Sequence, residues 1–138
     1  MKIVHFVNKN TPQNTDSNIK FTTTSMQFAN EVENATEVQL DYVLETNFDY
    51  KQVPGYLKFV FDKMSPGGQL IINADDTAML FNLINSRQAD IEAINQRLVG
   101  RKSYLTLPFL RKVLNEIGFK PVSITYMQNC TMCIKVQK

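Results

Sequence analysis

Residues 53–73 read VPGYLKFVFDKMSPGGQLIIN, and the order of elements in this stretch decides the fold. Leu57, Val60, Phe61 and Met64 recur at helical spacing, and Pro54 stands where a first helical turn tolerates a missing N–H, so a helix over 53–64 is predicted. Ser65-Pro66-Gly67-Gly68 stops it. The apolar run QLIIN, 69–73, then reads as a short buried strand, and Asp75 or Asp76 is placed to cap a further helix to about residue 85. Helix, tight turn, buried strand, helix is the rhythm of a parallel sheet whose crossovers carry helices over it.

The same rhythm extends upstream. EVQLDYVL, 37–44, alternates and then becomes continuously apolar, as a central strand does, and KIVHFV, 2–7, is a second apolar run suited to a parallel sheet. Between them, 8–18 has no apolar anchor and reads as the most exposed loop, while 19–28 fits a short strand followed by a turn or brief helix. Downstream, 87–98 places Ile91, Ile94 and Leu98 on one face of an amphipathic helix that Gly100 ends. Thr106 is placed to cap a helix over 107–117, with Pro108 early and Gly118 just past its end, and Phe119 is expected to pack back under it. Strands over 120–127 and 131–136, joined at Gln128-Asn129, close the chain as a hairpin. The fold class expected is α/β, a mostly parallel sheet with flanking helices and a C-terminal antiparallel hairpin, in a single domain over 1–138.

Composition narrows the function classes. With 138 residues, 43% hydrophobic and 20% charged, the chain can bury one core. A net charge of +2 with interspersed signs gives no field that calls for nucleic acid, which is not expected as a partner. No apolar run approaches the ~20 residues of a membrane span, and the first ten residues lack the pattern of a signal peptide, so a cytoplasm is the expected location. Two cysteines, Cys130 and Cys133, are too few to staple a chain of this size.

Four features carry a resemblance. They are Leu44-Glu45-Thr46 at the end of the predicted central strand, the helix over 57–64, the turn Ser65-Pro66-Gly67-Gly68 before Leu70, and Leu110 to Leu114 followed by Glu116-Ile117-Gly118-Phe119. In this order over some eighty residues they resemble the later half of the class I S-adenosylmethionine-dependent methyltransferases. The resemblance implies a Rossmann-like methyltransferase fold, truncated, because the family builds seven strands from a longer chain. It also implies a glycine-rich loop after the first strand, where cofactor and backbone approach closely. The first glycine here is Gly55, and the positions after the first strand are Asn8, Lys9 and Asn10. An acidic residue for the cofactor ribose has no clear match, Asp16 and Glu31 being the candidates.

Several side chains could carry chemistry. Cys130 and Cys133 form a CxxC, but with His5 as the one histidine and no third cysteine there is no metal set, and two packed thiols are the preferred reading. His5 could act as a general base; a partly buried sheet histidine is preferred. Asp75 and Asp76 follow a strand at the edge where parallel sheets hold ligands, although helix capping accounts for them as well. Arg97, Arg101, Lys102, Arg111 and Lys112 form a basic group read as a solvated helix face. Glu45 ends a strand at the substrate-facing edge of the family, with Thr46 in place of the family's histidine.

The missing cofactor loop leads to the expectation of a non-catalytic module with no cofactor and no catalytic residue. Its sheet edges would be covered by a protein partner or a second copy, as in a component of a virus particle or other large assembly. The alternative is an active methyltransferase that binds S-adenosylmethionine through Asn8, Asn10 and Glu45.

Overall fold

A computed structural model describes residues 2–6, 19–22, 32–127 and 129–138, with 19–22 as backbone. The predicted loop over 8–18 and most of the segment 19–28 lie outside the described residues. Strands β1 (Ile3–Phe6), β2 (Ile19–Thr22), β3 (Glu37–Asp41), β4 (Gln69–Asp75), β5 (Lys120–Tyr126) and β6 (Thr131–Gln137) form one sheet in the order β2-β1-β3-β4-β6-β5. The first four are mutually parallel, and β6 runs antiparallel between β4 and β5. The helices are α1 (Val43–Asn47), α2 (Val53–Lys63), α3 (Thr77–Asn85), α4 (Ile91–Leu98) and α5 (Leu107–Ile117). No described helix is long and apolar enough to cross a membrane.

Alternation along the strands separates two unlike faces. Val4, Phe6, Val38, Leu40, Leu70, Ile72, Met132, Ile134 and Val136 are buried in one cluster with Leu57 and Val60 of α2 and Leu110 and Leu114 of α5. The other face presents Glu37, Gln39 and Asp41 on β3 and Asn73 and Asp75 on β4, with His5 of β1 bonded to Asp41. The apolar face supplies the core, and the polar face gathers titratable side chains.

The turn after α2 works by close approach. Gly67 has φ +75, and a Cβ on Gly68 would stand 2.9 Å from the Ser65 carbonyl oxygen and 3.2 Å from that of Ala35. Backbone atoms cannot yield as a side-chain tip does, so Gly68→Ala should cost about 1–3 kcal/mol, and Gly67→Ala about 1–2 kcal/mol from the left-handed conformation. Urea midpoints for the two variants measure this, and unchanged midpoints would show that the turn relaxes freely. At the far end of α5, Gly118 at φ +114 caps the helix, as expected from sequence, and the buried Phe119 ring meets Phe61 of α2 edge-on at 4.8 Å.

Two boundaries differ from the sequence reading by three residues or more, and one expected cap bond is absent. The strand predicted over 37–44 ends at Asp41, because Tyr42 takes a left-handed conformation (φ 56) and turns Val43 and Leu44 into a short helix. The helix predicted from 87 starts at Ile91, since Arg87 is also left-handed (φ 60) and the Asp90 carboxylate accepts the Ala93 N–H at 2.8 Å. Thr106 occupies the cap position of α5 without a capping side-chain bond.

Candidate functional site

Parallel β1, β3 and β4 point their carboxyl ends to one edge, and from β1 the chain order runs outward in two directions, to β2 and to β3. Open α/β sheets hold ligands in the crevice at such a reversal. Two polar groupings stand on this edge.

The first joins β1, β3 and β4. His5 Nε2 bonds to Asp41 Oδ2, while Asp41 Oδ1 accepts from Asn73 Nδ2 at 2.6 Å and Gln39 Nε2 at 3.1 Å. Burial works to raise the Asp41 carboxyl, but the bonds from His5, Asn73 and Gln39 outweigh it and hold the group below the ordinary aspartate value. An imidazole fixed by an ionised carboxylate is the arrangement a general base requires. Beside it, Asn73 Oδ1 is a buried acceptor with no partner. Asp41 and Asn73 escaped the sequence reading, although aspartate at the end of an alternating strand, where β-propensity disfavours it, was a usable signal.

The second grouping is an ion-pair node. Asp75 is 2% exposed; its Oδ1 accepts from Arg97 Nε at 3.0 Å and Nη2 at 2.6 Å, and its Oδ2 accepts from Arg101 Nη2 at 2.9 Å. Arg101 Nη1 also donates to Thr46 Oγ1 at 2.8 Å. Glu45 Oε2 accepts the Asp75 N–H at 2.8 Å, and the Glu45 carbonyl accepts from the Lys102 and Ser103 N–H groups. Glu45 Oε1 and Arg101 Nε are buried without a partner. Burial pushes the Glu45 carboxyl up to about 7, with the Asp75 charge adding to it and Arg101 and the Asp75 N–H opposing it.

Several sequence expectations change here. Glu45 sits in α1, buried and turned to the Asp75 backbone, instead of ending a strand at an open edge. Asp76 caps α3 by accepting the Ala78 N–H at 3.1 Å, whereas Asp75 is the acid of the ion-pair node. Arg97 and Arg101 leave the predicted solvated face and turn inward; Lys102, Arg111 and Lys112 remain exposed. Cys130, at φ 62 just before β6, packs with Leu80 and Ile94, and both cysteines are free thiols. Among the described residues no His, Cys, Asp and Glu group could hold a metal. Asn8, Asn10, Asp16 and Glu31 lie outside the described residues.

No protein-family model and no curated protein matches this sequence. Solved structures do match. An O-methyltransferase family 2 protein from Planctomyces limnophilus, in complex with apigenin, superposes with a TM-score of 0.60 at 17% identity, covering 88% of this chain and 36% of that one. Magnesium protoporphyrin IX methyltransferase from Synechocystis, with bound SAH, gives 0.60 at 12% identity, covering 87% and 51%. The N-methyltransferase NodS from Bradyrhizobium japonicum gives 0.58 at 16%, covering 88% and 61%.

The fold is therefore that of the class I methyltransferases, as the sequence resemblance implied. The chain spans about one third to three fifths of the length of these three structures. The expectation that no cofactor belongs to this chain is overturned, because a structure of the same fold carries bound SAH.

Proposed function

We propose that the chain is an S-adenosylmethionine-dependent methyltransferase unit that holds its cofactor in the crevice at the carboxyl ends of β1 and β3. The observation that carries this reading is the His5–Asp41–Asn73 grouping at the point where the strand order reverses. The cofactor's amino-acid end bears an ammonium group. An ionised Asp41 and the unpartnered Asn73 Oδ1 beside it are the acceptors such a group needs. Asn8 and Asn10, which follow β1 in the sequence, are assigned to the cofactor's other contacts in this reading. When bound, the cofactor supplies a methyl group on a sulfonium. His5, held by Asp41, is the residue able to hold a proton from an acceptor at that edge.

Calorimetric titration with S-adenosylmethionine and S-adenosylhomocysteine tests the reading. Saturable one-to-one binding is expected, weakened about tenfold or more by Asp41→Ala, since a charge-assisted contact contributes roughly 1.5–3 kcal/mol. Absence of heat with either ligand would overturn it. The non-catalytic module, favoured by a sequence with no glycine before Gly55, would then lead, and partner capture would follow.

A further inference from the structure

Four large apolar side chains that the fold leaves exposed stand around one groove. Phe81 of α3, Ile91 of α4, and Val99 and Tyr104 beyond α4 are 50%, 63%, 77% and 58% exposed, and they line a groove of about 550 Å³. A groove of this size suits a small organic molecule, the usual range being roughly 300–1,000 Å³. Its described lining contains Arg101 and Asn95 and no acidic residue.

The charge at the groove is unbalanced. Asp75 is shared by two arginines, Arg97 and Arg101, so one carboxylate answers two guanidinium groups. The carboxylate that could restore the balance, Glu45, directs one oxygen to the Asp75 N–H and leaves the other without a partner, and burial opposes its ionisation. Arg101 bonds Thr46 through one Nη and Asp75 through the other, its Nε–H is buried without a partner, and its side chain, 15% exposed, is the one charged group in the described lining. Apolar walls with a surplus cation at one side complement an apolar body carrying an anionic group.

We propose that the groove between α3, α4 and residues 99–104 binds a small apolar organic anion, a carboxylate or sulfonate on an aromatic or aliphatic body, with Arg101 supplying the countercharge. The assignment is independent of the cofactor reading, and its test contains no S-adenosylmethionine. Arg101 also holds the fold together, so the variants are placed at Val99, where the side chain faces solvent.

The probes are anilinonaphthalenesulfonate and its uncharged analogue phenylnaphthylamine, each followed by fluorescence on the folded full chain. Saturable one-to-one binding of the sulfonate is expected, with the uncharged analogue weaker. Val99→Glu should weaken the sulfonate about tenfold or more by placing a like charge on the wall, while Val99→Lys should bind it more tightly than Val99→Glu does. Equal affinity for the two probes, or equal affinity in the Glu and Lys variants, would overturn the assignment. So would sedimentation showing a dimer that Val99→Glu dissolves, which would give the groove to a second copy.

Discussion

Asp75→Ala is expected to destabilise the folded chain by about 3–5 kcal/mol, the range for removing one partner of a buried ion pair. The reason lies in what remains: Arg97 and Arg101, both directed at Asp75, would face each other without the carboxylate they share. Asp75 links the end of β4 to α4 and to the segment after it, so the loss should concentrate in residues 77–105. Hydrogen exchange should show these amides opening before those of β3 and β4. Equilibrium urea unfolding gives the global figure. Arg97→Ala should cost less than Arg101→Ala, since the Arg97 side chain is 27% exposed against 15% and only Arg101 also bonds Thr46 through Nη1. A loss below ~1 kcal/mol for Asp75→Ala would mean that the node contributes no more than a surface pair.

Glu45→Gln should remove a pH dependence that the parent protein shows near neutrality. The folded Glu45 carboxyl titrates at about 7 against an ordinary value of 4.5. Its value is raised in the fold, so between those limits the folded state holds a proton that the unfolded state has released. Stability therefore falls as pH rises from about 4.5 to 7 and levels off above, by an amount of order 3 kcal/mol. Gln at this position can still accept the Asp75 N–H and cannot ionise. Its thermal midpoint should track the parent's below pH 4.5 and exceed it at pH 8, and parallel curves for the two proteins across this window would refute the titration of Glu45. Asp41 acts in the opposite sense. Its lowered value gives stability that is present above the ordinary aspartate value of 3.8 and is lost as pH falls through the folded value.

How much of this was readable in advance depends on the range of the interaction. Helix α2 ends at Lys63, one residue short of the prediction, because the spacing of Leu57, Val60 and Phe61 and the turn glycines are local signals. The same holds for α5, with Pro108 early and Gly118 at its end. Tyr42 misled the reading, since a tyrosine gives no warning of a left-handed backbone, and the apolar run 42–44 continued the pattern of the strand before it. Placing Glu45 at an open strand end followed from that error.

The sequence by itself determined the α/β class and the helices that carry the core, because hydrophobic periodicity and turn chemistry act over a few neighbouring residues, and four motifs in order carried the methyltransferase resemblance. Only the tertiary structure decided the chemistry. His5 meets Asp41 across 36 positions, Asp75 meets Glu45 across 30, and Arg97 and Arg101 reach Asp75 across 22 and 26. Such pairs leave no periodic trace in the chain, since the order of strands in the sheet sets which distant charges share an edge, and burial there decides which of them hold a proton.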